Sequence, residues 1–166
     1  MAIFLVKQLR FTRAKWQAGL EGVTLEEGLL RAGQMNSIGW MVGHLAYHEA
    51  LYWWESAQGE SIPPEAAACA WGQPASTPPL DEMTALWDRV TAHADRYLDS
   101  LTDTDLTQHL SRQGKWLNEN VGTMFHRLIY HYWFHLGEMQ AVRQGLGHQN
   151  LPSYVGSLPP EAYYPE

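Results

Sequence analysis

Two pairs of histidines stand four residues apart in this chain, His44 with His48 and His131 with His135. On an α-helix that spacing puts both side chains on one face, one turn apart. Two imidazoles so placed can share a metal ion at about 2.0–2.1 Å. His131 and His135 also continue an apolar stripe through positions 128, 132 and 139, so they should point into a core, where an unpaired imidazole is costly. Something must satisfy them: a metal ion is one answer and a buried hydrogen-bond network is the other. A second pair on another helix weighs towards the metal. His126 lies five residues before His131, off that face, and reads as structural; His93, His109 and His148 follow no pattern.

Other chemistries leave no signature. His48-Glu49-Ala-Leu-Tyr52 lacks the second histidine of a His-Glu-x-x-His motif, and neither histidine-bearing segment carries the Glu-x-x-His pairs of di-iron carboxylate bundles. No nucleophile elbow, P-loop or dinucleotide fingerprint is present. Cys69 is the single cysteine, so no disulfide forms within the chain, which fits a reducing cytoplasm. The net charge of −7, without a clustered basic face, argues against nucleic acid. No apolar run approaches the ~18 residues of a membrane span, and the first residues do not read as a signal peptide.

Four helical segments must carry these residues, and no convincing strand accompanies them. They run from about Ile3 to Leu20, Ser37 to Ala57, Pro79 to Leu101 and Asn120 to Gln144. Asn36 or Ser37 suits the cap of the second, and Thr77 before Pro78-Pro79 suits the start of the third. Residues 102–119 are polar, with at most a short strand or turn within 106–117. The 58–78 connection is long enough to cross a 30 Å helix, so the second and third helices are expected as parallel neighbours. The expected organisation is one domain over residues 1–150 and an extended, proline-rich tail over 151–166, packing through Tyr154, Tyr163 and Tyr164. Only 17% of the 166 residues are charged, against roughly 25% in typical soluble domains. The second and fourth segments are apolar nearly all round, with one stripe of the fourth (Tyr130, Trp133, Phe134, Gly137, Ala141) left over after the core is served. A homodimer through that surface is expected. Gly43 and Gly137, beside the histidines, would permit close approach of neighbouring elements.

Asn36-Ser-Ile-Gly-Trp-Met-Val-Gly-His44-Leu resembles the second-helix signature of the DinB-like (DinB/YfiT) superfamily. His131-Tyr-Trp-Phe-His135-Leu-Gly-Glu138 resembles its fourth-helix signature, in which Gln is usual where Glu138 stands. The resemblance covers most of residues 1–147. It implies an all-α fold, a four-helix bundle in up-down-down-up order with a long crossover between the second and third helices, in a homodimer. It also implies a metal site of His44, His131 and His135. His48 then falls outside the ligand set as a weak acid/base candidate, and Trp40, Trp133 and Glu138 become pocket or supporting residues.

Three neutral imidazoles leave metal positions open to water or substrate, as in catalytic sites, and suit zinc, nickel, iron or copper better than magnesium or calcium. Characterised branches of the family include metal-dependent transferases and isomerases that use small thiols such as bacillithiol or mycothiol. By resemblance the chain is expected to be a divalent-metal protein (zinc, nickel or iron), either a small-thiol S-transferase or a related hydrolase. Two alternatives stand beside it: a non-catalytic metal- or ligand-binding module of the stress response, and a helical dimer with buried histidines and no metal.

Overall fold

The computed structural model describes residues 3–164. Met1 and Ala2, together with Pro165 and Glu166 of the expected tail, lie outside the described residues. Helix α1 (Phe4–Leu20) forms because Val6, Leu9, Thr12, Arg13 and Trp16 recur at helical spacing and are all buried. A short second helix, α2 (Leu25–Leu29), is closed at its start by a capping box. The Thr24 hydroxyl accepts from the Glu27 amide at 3.2 Å, and the Glu27 carboxylate accepts from the Thr24 amide at 2.8 Å.

α3 (Ile38–Glu49) starts where the Ser37 hydroxyl accepts from the Trp40 amide at 3.2 Å. Beyond Glu49 the helix widens into a π-helical segment, Ala50–Ser56. Gly59, at φ 71°, closes it. The expected single segment from 37 to 57 is therefore one helical path with two hydrogen-bonding registers. The 58–78 crossover contains a short helix, α4 (Pro64–Ala67). α5 (Leu80–Leu98) begins one residue later than expected, with Pro79 as a cap that makes no side-chain hydrogen bond. Its buried stripe runs through Leu80, Met83, Trp87, Val90, Ala94 and Leu98.

The all-α expectation needs one correction. After a 3₁₀ turn at Asp103–Thr107, strands β1 (His109–Arg112) and β2 (Lys115–Asn120) form an antiparallel hairpin. Gln113 (φ 51°) and Gly114 (φ 75°) supply the two left-handed residues that a tight hairpin turn requires. Asn120 ends β2 and caps the last long helix, α6 (Val121–Gly145), accepting from the Thr123 amide at 2.9 Å.

The long helices meet in a consistent order. Gly39 lies against Pro78 and Gly43 against Met83, and Trp54 donates to the Val90 carbonyl, so contacts between α3 and α5 ascend together. The same holds for α1 and α6, where Phe11 meets Trp133 and Gly19 meets Leu136 and Met139. Between α3 and α6 the order reverses: Asn36 meets Glu138, His44 meets His135 and Trp53 meets Phe125. Trp16, Met41, Leu45, Trp53, Phe125 and Tyr132 form the centre of the shared core.

One charged network runs through that core. Arg13 donates to both oxygens of Glu49, at 2.7 and 2.5 Å. The Tyr132 hydroxyl donates to Glu49 at 2.8 Å, and the Trp87 indole donates to Tyr132 at 2.6 Å. α1, α3, α5 and α6 are thereby joined by hydrogen bonds at one level.

From residue 151 the chain packs along α1 and α6. Gln140 donates to the Pro152 carbonyl at 3.0 Å, Tyr154 is half-buried beside Gly19, and the Tyr164 ring meets Phe4 edge-on at 4.8 Å. Tyr163 and Tyr164 remain mostly exposed. No helix of the described residues is long and apolar enough to cross a membrane.

Candidate metal centre

α3 and α6 bring four imidazoles together. His44 comes from the middle of α3, and its Nδ1 lies 2.7 Å from the Cys69 carbonyl oxygen. A carbonyl only accepts, so Nδ1 carries the proton and the lone pair of the ring sits on Nε2. Gly43 makes this contact possible. A Cβ there would stand 2.6 Å from Cys69 Sγ and 2.7 Å from Met83 Sδ, so any larger residue would push the crossover away from His44. Gly137 has no such neighbour within 4 Å among the described residues. Trp40 stacks on the His44 ring, with ring centroids 4.4 Å apart and planes at 15°.

On α6, His135 Nδ1 lies 2.8 Å from Glu138 Oε2, and Glu138 is held by the Asn36 amide (3.3 Å) and side chain (3.0 Å). An ionised carboxylate accepts, so His135 also carries its proton on Nδ1 and turns the Nε2 lone pair inward. Burial alone would raise the Glu138 carboxyl, but hydrogen bonds from His135 and Asn36 hold it below its ordinary value. His135 Nε2 faces His131 Nε2 at 3.0 Å. His44 lies 5.0 Å from His131 and 5.2 Å from His135 between ring centroids.

His48, one turn beyond His44, belongs to the same cluster. Its ring is 4.7 Å from His44 and 4.3 Å from His131. One nitrogen from each of His44, His48 and His131 lies within 4.8 Å of the other two, a spacing able to hold a metal ion. The set so spaced contains His48 in place of the expected His135, which adjoins it through His131 at 3.0 Å. Periodicity placed His48 on the correct face; what it did not convey is how closely α6 crosses α3 at that level.

The other expected pocket residues divide. Trp40 and Glu138 touch the cluster. Trp133 points elsewhere, its ring 6.4 Å from Phe11 of α1 and lining a groove with Gly137 and Tyr154. Its helical position, two residues beyond His131, turns it off the imidazole face. The remaining histidines have local partners: His126 stacks on Tyr130, His93 meets Trp54 and Glu60, His109 bonds the Leu117 carbonyl across the hairpin, and His148 joins Glu27 and Arg143.

A family model of the DinB superfamily matches residues 8–139. The chain belongs to the DinB superfamily. No curated protein matches it. The matched span of this DinB superfamily member contains all four clustered histidines and Glu138, and stops before the C-terminal tail.

The donors fit a divalent transition metal electrostatically. Burial, partly offset by the Cys69 carbonyl, brings His44 down to about 4. Burial and the neighbouring imidazoles bring His131 to about 3 and His48 to about 2. All are therefore neutral at physiological pH, with lone pairs free for a metal. His48 Nδ1 is buried with no hydrogen-bond partner, an orphan of the kind a ligand relieves.

The same shifts predict an acid sensitivity. In the unfolded chain these rings take up protons near 6.5. Between that value and the folded values the unfolded state binds more protons, so stability rises with pH. Metal-free protein is expected to hold this contribution fully above pH 7 and to lose it as pH falls below about 6.5. The loss by pH 5 should be roughly 2 kcal/mol or more, after discounting for solvent at the half-buried rings. Urea midpoints at pH 7.5 and 5.0 measure it, and equal midpoints would contradict it.

Proposed function

We propose that this DinB superfamily protein is a divalent-metal enzyme of the small-thiol S-transferase kind, or a related hydrolase, whose ion is held by His44, His131 and His135. The observation that carries the reading is the pair of Nδ1 tethers. The Cys69 carbonyl on His44 and the Glu138 carboxylate on His135 each fix the tautomer that leaves the Nε2 lone pair free, and on His135 that nitrogen faces His131. Such outer partners orient metal-binding imidazoles and raise their basicity. All-nitrogen donors of this kind favour zinc, nickel or iron. When bound, a divalent ion supplies Lewis acidity that lowers the pKa of a thiol or water reaching it.

The chain's own residues do the rest. Glu138, anchored by Asn36, holds the His135 ring and its proton in place. Trp40 covers one face of His44, and the buried core behind the rings keeps water from that side. The order of helix contacts supports an up-down-down-up four-helix bundle within residues 3–150, with residues 151–164 as an arm laid along it. The exposed Tyr130 and Phe134 of α6 support a homodimer through that face, which a monomer seen by light scattering at micromolar concentration would contradict. The single buried cysteine fits a cytoplasmic setting.

Thiol consumption by tag-free protein, measured against a panel of electrophiles with and without added metal, tests the activity. Metal-dependent consumption is expected. Stoichiometric metal with no consumption of any thiol would favour a non-catalytic binding module, and absence of metal binding would overturn the reading altogether.

A further inference from the structure

The three-ligand reading leaves His48 without a task, although it is built into the cluster. It stands on α3 one turn beyond His44, with His131 of α6 across from it at 4.3 Å. Tyr47 and Tyr52 on its own helical path flank the ring at 5.1 and 6.1 Å. None of these contacts gives Nδ1 a hydrogen bond, and that atom is buried. An unsatisfied buried donor or acceptor costs about 1–3 kcal/mol, and a leucine of similar volume would avoid the cost. The cluster also contains two triangles of imidazoles that share the edge between His44 and His131. His135 completes one, tethered by Glu138 and Asn36; His48 completes the other, with one nitrogen within 4.8 Å of those of His44 and His131. Donors on a tetrahedral ion at 2.0–2.1 Å lie about 3.3–3.4 Å from one another, so the 3.0 Å between His131 and His135 is already near that spacing. The spacing to His48 is wider, within 4.8 Å.

We propose that His48 is a fourth imidazole donor of the metal centre, so that ions bind through His44, His48, His131 and His135. The inference rests on the metal site of the preceding reading and adds to it a donor count. His44 and His135 each have Nδ1 engaged by an oxygen, whereas His48 Nδ1 has no partner. That makes His48 the least constrained donor, and the one an incoming ligand would displace most easily.

X-ray absorption fine structure of the tag-free protein loaded with Zn(II) or Co(II) counts the imidazoles directly and needs no variant. Four are expected in the wild type and three in His48→Leu, with the dissociation constant rising about 10-fold or more in the variant. Three imidazoles in both proteins, with affinities within twofold, would overturn the fourth donor and leave the three-ligand site standing. A wild type that binds neither ion would overturn both. Circular dichroism of His48→Leu confirms that the compared proteins share a fold.

Discussion

His131→Ala is expected to abolish stoichiometric metal binding while leaving the helical fold in place. His131 is the hub of the cluster: its ring lies within 5.0 Å of His44, His48 and His135, and its Nε2 faces His135 at 3.0 Å. Of the four ways to choose three of these imidazoles, three include His131. Outer partners of metal ligands alone are worth 10–100-fold in affinity, so loss of this donor should weaken binding by more than about 100-fold. The ring is only half-buried and is held neutral by burial, then by His135 and His44. Its removal should therefore cost the metal-free protein little stability. Competition against a chelator measures the loss, with His126→Ala as the control because His126 is exposed and stacks on Tyr130. One bound ion per chain retained in His131→Ala would refute the ligand assignment.

Glu49→Ala is expected to be among the most destabilising single changes in the chain, at roughly 3–5 kcal/mol. Glu49 is fully buried and accepts from Arg13 and from Tyr132, and Tyr132 accepts from Trp87. Burial alone would lower the Arg13 guanidinium, but Glu49 outweighs that and raises it well above its ordinary value. Without Glu49 the buried guanidinium keeps one anionic partner, Asp95 at 2.8 Å, which is about one-third exposed. The penalty comes from that stranded charge more than from lost attraction. Removing both charges in Arg13→Met/Glu49→Leu should therefore cost less than Glu49→Ala alone. Urea midpoints of the two variants decide it: a Glu49→Ala cost under about 1 kcal/mol, or a double variant worse than the single, would contradict the account. Glu49 follows His48 and Tyr132 follows His131 in sequence, so this network also holds the two histidine-bearing helices at the level where the rings meet.

Much of this was readable from periodicity. The apolar stripes of α1, α5 and α6, the cap at Asn36 or Ser37, and the turning of His131 and His135 onto an inner face follow from 3.6-residue spacing and side-chain chemistry, whereas the place of His44 in the site came from the family resemblance. What escaped lies where tertiary contact overrides local pattern. Strands β1 and β2 are polar and mostly exposed, so they lack the apolar alternation that marks a strand, and Gln113-Gly114 is a weaker turn signal than Asn-Gly. α2 did carry a legible sign, Thr24 followed three residues later by Glu27, which is the capping-box pattern. The widening of the helix after Glu49 has no local signature in Ala50–Ser56. Glu49 itself reads in sequence as the one charge of an apolar helix, and only the fold shows it paired with a residue 36 positions earlier. The Cys69 carbonyl that orients His44 is a backbone atom of an irregular crossover, invisible to any reading of side chains.

The central claim is that a divalent transition-metal ion sits among these imidazoles. Anomalous diffraction at the metal's absorption edge, from crystals of tag-free protein grown with one equivalent of Zn(II), tests it most directly. A single strong peak per chain is expected, at about 2.0–2.1 Å from Nε2 of His44 and His135 and from a nitrogen of His131. A peak elsewhere on the chain, or none at full loading, would contradict it.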